Sequence, residues 1–355
     1  MNEKIRVGII GFGLSGRVFH APIIHSLDAF QIKKIVTTKK ESIDMAQKSY
    51  PWAEFVSDAN QVFEDPEIDL IVVSTPNTSH VKLASEGLRS KKHVVVEKPF
   101  TVTSKEADEL IALAKREEKI LTVYQNRRWD SDFQTVKKVI ENRMLGNVVE
   151  YEAHFDRFRN YLKPNAWREE NLPGSGILYD LGSHLIDQAQ CLFGLPKEIT
   201  ADIRKQRENS LADDCFEIIL HYEKLKVTLK AGMLVREPLP RFIIHGDQGS
   251  FVKYGIDVQE EALKNGLSPL HTSDWGQEPE EIWGILNTDW NGLHVRGKIE
   301  SMKGDYSIFY QNVYRAILNK EELYVKPEEA RNTIRIIELA NESSELKKTV
   351  PFVLA

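Results

Sequence analysis

The sequence predicts an α/β protein in two parts: a doubly wound parallel sheet over residues 1–125, then an α+β domain over residues 126–355 with a large, mainly antiparallel open sheet. Three observations carry this. Short β-branched runs alternate with longer amphipathic ones up to about residue 125, the pattern of βαβ units whose sheet is covered on both faces. A Gly-x-Gly-x-x-Gly segment follows the first run. After Gln125 the alternation gives way to successive strand-like runs joined by short turns.

The elements follow in order. IRVGIIG leads into a helix-like stretch through Leu27; IKKIVTT precedes a helix from Ser42, and DLIVVST one marked by Val81, Leu83, Ala84 and Leu88. HVVVEKPF comes next, then a helix from Ser104 to Glu118 and the run ILTVYQN. That helix opens on Ser104, Glu106 and Ala107 and repeats Ala107, Leu110, Ile111 and Ala114 at helical spacing. Beyond it lie a helix from about Asp132 to Glu141, VVEYEAHF, a Gly/Pro-rich passage and a helix from Tyr179 to Phe193. Five strand-like runs follow, EITADIRKQ, CFEIILHYE, LKVTLKAGM, RFIIHGD and GSFVKYG; in the second, Phe216, Ile218, Leu220 and Tyr222 alternate with Glu217, Ile219 and His221, the period of a half-buried strand. The segment from Ser268 to Gly304 has no clear period and reads as excursions and turns, and a helix from Pro327 to Leu346 carries Ile334, Ile337, Leu339 and Ala340.

Composition narrows the function. The chain has 355 residues, 41% hydrophobic and 28% charged, as expected of a soluble globular protein of two domains. A net charge of -6 with scattered Lys and Arg argues against nucleic acid as a partner and for a small molecule. No run approaches the roughly 20 apolar residues of a membrane span, so no membrane partner is expected and the protein is placed in the cytoplasm. The two cysteines, Cys191 and Cys215, read as buried thiols in a reducing compartment. The histidines lack metal-ligand pairing, so no metal is expected.

In GIIGFGLSG, Gly11, Gly13 and Gly16 permit a tight turn, close approach to a pyrophosphate and helix-on-strand packing; the loop Gly11, Phe12, Gly13, Leu14, Ser15 and Gly16 is therefore a dinucleotide-binding candidate. The second strand ends in Val36, Thr37, Thr38, Lys39 and Lys40, with no carboxylate before Glu41. Without an acid to bond a ribose 2′-hydroxyl, and with hydroxyls and cations to take a 2′-phosphate, NADP is expected over NAD. A solvated loop is the plainer reading of the lysines.

Lys98 falls at the carboxyl end of a parallel strand, where ligands of doubly wound folds bind, although an ion pair with Glu97 would also account for it. Farther on, Asp180, His184 and Asp187 are spaced i, i+4 and i+7 on the Tyr179–Phe193 helix, so carboxylate and imidazole can meet. Histidine is suited to removing an alcohol proton near neutral pH, and the alternative is an ordinary histidine of an amphipathic helix.

GFGLSG, EKPFTVT at 97–103, NRRWD at 126–130 and DLGSHLID at 180–187 together resemble the glucose-fructose oxidoreductase and inositol dehydrogenase family, Gfo/Idh/MocA, across nearly the whole chain and in the family's order. HFDRFR, WRE and YGIDVQEEALKNG are similar to its NADP-dependent scyllo-inositol 2-dehydrogenase branch. The resemblance implies a Rossmann domain, an open-sheet domain, an active site between them and a homodimer or homotetramer formed through the sheet. It implies that Lys98 is catalytic, that the bond to Pro99 is cis, that His184 is the base and that Asp180 is its partner or a substrate ligand. Ser74, Thr75, Pro76, Asn77 and His80 resemble a cofactor-contacting loop, with Glu97 beside Lys98. Arg127, Trp129, Asp130, Arg157 and Tyr161 are candidates, with structural roles equally open, for binding the remaining hydroxyls of a polyol or sugar substrate. The expected reaction passes hydride between a nicotinamide and a secondary alcohol or ketone of a cyclic polyol such as scyllo-inositol. A dehydrogenase of another sugar is the alternative within the class, and a ligand-sensing regulator would be expected to lack Lys98 or His184.

Overall fold

In the computed structural model, which describes residues 4–164 and 166–354, the first β-branched run forms β1 (Ile5–Ile10) and each later one takes its place beside it. α1 (Ala21–His25), β2 (Phe30–Val36), α2 (Lys40–Ser49), β3 (Glu54–Val56), α3 (Asn60–Phe63), β4 (Leu70–Val73), α4 (His80–Arg89), β5 (His93–Val96), α5 (Ser104–Glu117) and β6 (Leu121–Val123) follow. The strands form one parallel sheet in the order β3-β2-β1-β4-β5-β6. The order reverses between β1 and β4, so the carboxyl ends of these two strands form the switch point at which doubly wound sheets bind ligands. All four residues of β4 are buried, as a strand covered on both faces requires.

The rest of the chain forms α6 (Ser131–Glu141), β7 (Val148–His154), α7 (Ser183–Phe193), β8 (Glu198–Arg204), β9 (Cys215–His221), β10 (Lys226–Gly232), β11 (Phe242–Gly246) and β12 (Gly249–Lys253). Then come α8 (Gln259–Lys264), β13 (Gly284–Trp290), β14 (Leu293–Ile299), α9 (Ser307–Ile317), α10 (Pro327–Leu346) and β15 (Val350–Pro351). The second sheet runs β14-β13-β12-β11-β7-β10-β9-β8-β15, antiparallel except where β7 pairs parallel with β10. Phe216, Ile218 and Leu220 of β9 are buried while Glu217 is exposed, as their alternation predicts.

The segment from Ser268 to Gly304, expected to be irregular, contains the β13–β14 hairpin. Its turn, Asn291-Gly292, has φ of 50° and 82°, the two positive values of a two-residue type I′ turn. The Asn-Gly pair was the available signal. The polar residues that mask a period are the exposed positions of a ribbon whose second strand is largely solvated.

Packing divides the chain into two units. The first holds the residues up to Trp129 with Gln259–Trp275 and Asp305–Arg331; the second holds Asp130–Val258, Gly276–Gly304 and the chain from Asn332. α8 and α9 thus come to the first unit from beyond residue 125. Phe309, Tyr310 and Val313 of α9 are buried in its core with Val7, Ile9, Ile32 and Val95, and the Tyr124 and Phe309 rings meet edge-on at 4.9 Å. Cys191 and Cys215 are half-buried rather than buried.

Candidate active site

The glycine turn is built by exclusion of side chains. Gly11 has φ +94°, and a Cβ there would stand 2.6 Å from the Ser74 carbonyl oxygen; one on Gly16 would stand 2.3 Å from the Gly11 carbonyl oxygen. These two glycines let β1, β4 and the following helical turn come together. Gly13 faces open space, with nothing within 4 Å of a Cβ, which leaves its backbone free to be approached by a phosphate. Phe12 is buried, Leu14 is exposed, and Ser15 turns its hydroxyl onto Glu97. The chain then makes one wide i→i+5 turn, Gly16–His20, before α1. Ser74, buried beside this cradle, has a hydroxyl without a partner among the described residues. An open cradle with a spare hydroxyl fits a dinucleotide.

At the end of β2, Thr37 donates its N–H to Val56 O at 2.9 Å and its hydroxyl accepts from Lys39 N at 3.4 Å; Thr38, Lys39 and Lys40 are exposed. Arg17, absent from the sequence reading, sends Nη1 to within 3.7 Å of Met45 Sδ on α2. It adds a cation beside α2.

Beyond β4, the Thr75 and Ser79 hydroxyls bond at 2.7 Å, Pro76 is exposed, and Asn77 is buried at the start of a short 3-10 turn. His80 lies inside the protein, its ring nitrogens 3.0 Å from Thr75 O and 3.0 Å from Pro99 O. Burial lowers its pKa against the opposing pull of these carbonyls and of Glu97. It therefore joins the β4 loop to the β5 loop from within.

β5 delivers Glu97 and Lys98, and the Lys98-Pro99 bond is cis. Glu97 is buried, with Oε1 accepting from Ser15 and from His20 Nε2 at 3.0 Å, and Oε2 accepting the Lys98 backbone N–H at 2.8 Å. Burial pushes its carboxyl up, but the bond to His20, the charges of His20 and Lys98 and the Ser15 bond outweigh that and hold it at about 2. Lys98 itself is half-buried. Just downstream Thr103 caps α5, its hydroxyl accepting from Glu106 N at 3.2 Å while Glu106 accepts from Thr103 N at 2.9 Å, which fixes where the chain resumes its helix.

In the second unit, Asp180 sits in a wide i→i+5 turn, Leu178–Gly182, and His184 in the first turn of α7. The extra residue in that turn departs from the regular i, i+4 stripe expected from spacing. Asp180 is half-buried and accepts from Arg168 Nε at 3.1 Å, whereas His184 and Asp187 are buried. The Phe155 ring lies 6.5 Å from the His184 ring, 5.4 Å from the Arg157 guanidinium and 4.5 Å from that of Arg241. Phe155 thus gathers His184 and Arg157, a relation that no local pattern announces.

The remaining polar candidates divide. Arg157 is half-buried and the Tyr161 ring exposed. Arg127 is buried and paired with Glu260 on α8, whose carboxyl, pushed up by burial, is brought down to about 2 chiefly by Arg127 and Lys264. Trp129 packs on Phe309 at 5.9 Å, and Asp130 is fully buried at the start of α6. All three are buried within their own units.

A glycine cradle at the switch point of a doubly wound sheet, with a lysine at the end of a neighbouring strand, defines a dinucleotide-dependent oxidoreductase. Comparison with known proteins gives the family. Residues 5–125 match the profile "Oxidoreductase family, NAD-binding Rossmann fold" and residues 137–352 match "Oxidoreductase family, C-terminal alpha/beta domain", the two halves of Gfo/Idh/MocA. The chain belongs to the Gfo/Idh/MocA oxidoreductase family and is an NAD(P)-dependent dehydrogenase acting on CH–OH groups. It is 41% identical over 348 residues, 98% of this chain and 96% of the relative, to scyllo-inositol 2-dehydrogenase (NADP(+)) IolW of Bacillus subtilis. It is also 41% identical over 350 residues, 99% of each chain, to the uncharacterized oxidoreductase YdgJ of Escherichia coli. The crystal structure of an oxidoreductase from Bacillus cereus, 34% identical, superposes with a TM-score of 0.90 over 99% of both chains.

Proposed function

We propose that the protein is an NADP-dependent dehydrogenase of a cyclic polyol, interconverting scyllo-inositol and its 2-keto form. The observation that supports this most is full-length similarity to IolW combined with Lys98 at the end of β5 and Asp180 and His184 around the start of α7. Bound NADP would supply the hydride acceptor, held by Gly11, Gly13, Gly16 and the Ser74–Asn77 loop, with Thr37, Thr38 and Lys39 at its 2′-phosphate.

Lys98 donates a hydrogen bond to the reacting oxygen and favours the developing alkoxide, and His184 takes the hydroxyl proton; in reduction His184 returns it. Asp180, which accepts from Arg168, binds a hydroxyl or orients the imidazole in this reading. Arg157 and Tyr161 contact the remaining hydroxyls. A homodimer or homotetramer is consistent with the β13–β14 ribbon, which exposes Ile285, Trp290, Leu293 and Val295. No helix of the described residues is long and apolar enough to cross a membrane.

The test is an initial-rate screen of inositol isomers and aldoses with NADP and NAD. Turnover of scyllo-inositol with NADP supports the reading. An aldose oxidised while scyllo-inositol and its 2-keto form are both inert would replace the substrate, and a higher kcat/KM with NAD would replace the cofactor.

A further inference from the structure

His20 is fully buried in the core of the first unit. A histidine inside a protein needs partners for both ring nitrogens, and this one has two: Nδ1 lies 2.6 Å from the Tyr310 hydroxyl and Nε2 3.0 Å from Glu97 Oε1. Tyr310 comes from α9, 290 positions away, and is fully buried against Phe30, Tyr124 and Phe309 with ring separations of 5.8, 5.8 and 5.2 Å. Burial raises its phenol pKa well above the ordinary value, with Tyr124 and Glu97 acting in the same direction, so the hydroxyl keeps its proton. A carboxylate can only accept, so Nε2–H donates to Glu97, and the Tyr310 hydroxyl, which keeps its proton, is matched to Nδ1.

The far end of this chain is the lysine. The other oxygen of the same carboxylate holds the Lys98 backbone N–H at 2.8 Å, and Ser15 of the glycine turn shares Oε1 with His20. We propose that His20, braced by Tyr310, is a positioning residue that locks the Glu97 carboxylate between the glycine turn and Lys98 and so fixes where Lys98 presents its ammonium group. The role rests on the reading of Lys98 as the group that bonds the reacting oxygen. Removing Ser15 or the Lys98 N–H would still leave Glu97 tied to His20. Among the described residues His20 is the side-chain partner of Glu97 that is itself fully buried, so losing the histidine releases the carboxylate.

Tyr310→Phe deletes a single oxygen and leaves the ring packing intact, so it is the principal variant; His20→Leu removes the link and His20→Gln restores an N–H donor. Each is compared with Lys98→Met in the full-length enzyme with scyllo-inositol and NADP, alongside thermal midpoints and ring-nitrogen NMR of His20 in the cofactor-free protein. Tyr310→Phe is expected to lower kcat about three- to tenfold with KM nearly unchanged, and to move the His20 Nδ1 resonance. His20→Leu is expected to lower kcat further, and His20→Gln to recover part of that loss. A lower midpoint with unchanged kcat in Tyr310→Phe, or an unmoved Nδ1 resonance, overturns the proposal. If Lys98→Met retains full turnover, the reading of Lys98 falls, and this role falls with it. If Lys98→Met is inactive while folded Tyr310→Phe and His20→Leu turn over normally, only the role of His20 is refuted.

Discussion

Oδ2 of Asp213 accepts the backbone N–H of Leu178 at 2.7 Å, while the Asp213 carbonyl accepts that of Ile177 at 3.0 Å. One residue thereby ties the chain entering β9 to the wide turn that carries Asp180 and leads to His184. The approach is so close that a Cβ on Gly176, where φ is +84°, would lie 1.9 Å from Asp213 Oδ1. Burial pushes the carboxyl up to about 6 despite the opposing backbone N–H bonds, with Asp214 adding to the rise. Its folded pKa exceeds the reference value of 3.8, so its contribution to stability is full below about pH 4 and is lost as pH rises through about 6. Asp213→Asn keeps an acceptor without the charge and should gain about 3 kcal/mol on the wild type between pH 4 and 7. Urea unfolding across that range measures it; parallel curves for the two proteins would contradict the expectation.

Lys98→Met and His184→Ala should each lower kcat by about 10²- to 10⁴-fold, the range for loss of a positioned acid, base or charged donor. Steady-state kinetics on folded protein decide it, and near-normal turnover in either variant removes that residue from the mechanism.

Gly11→Ala should cost about 1–3 kcal/mol of stability, because alanine is strained at positive φ and its methyl would meet the Ser74 carbonyl. Cofactor binding should weaken as well. Thermal unfolding without cofactor and a fluorescence titration with NADPH report the two effects separately.

Thr38→Asp places a carboxylate among Thr37, Lys39 and Lys40 at the end of β2. Repulsion of a 2′-phosphate and a new acceptor for a 2′-hydroxyl should shift the ratio of kcat/KM from NADP toward NAD by about tenfold or more. An unchanged ratio would show that the phosphate is bound elsewhere.

Lys253 and Glu278 form an ion pair at 2.9 Å with both side chains fully buried, Ser131 also donating to Glu278. Lys253→Met should destabilise by about 3–5 kcal/mol, since it strands a buried carboxylate. Lys253→Met with Glu278→Leu should recover most of that loss in denaturant unfolding.

Much of the fold was legible because its signals are local. The alternation of IRVGIIG, IKKIVTT, DLIVVST and HVVV with helical spacing reports burial on both faces, and the period of two in CFEIILHY reports burial on one. The β13–β14 hairpin escaped because its second strand is solvated and carries no apolar stripe, although Asn291-Gly292 was there to be read. The wide turn Leu178–Gly182 escaped because it adds a residue without altering the amphipathic pattern.

The sequence by itself determined the glycine turn, the run that ends in Glu97-Lys98-Pro99, the occurrence of Asp180 and His184 in one motif and, through these, the family. Each is a property of neighbouring residues, where backbone freedom and side-chain period are set. Tertiary structure alone decided which polar groups were already committed. Arg127 is paired with Glu260, 133 positions away, and Glu97 with His20, 77 positions away. A buried charge takes whichever partner folding brings within about 3 Å, and no periodicity in the chain encodes which partner that will be.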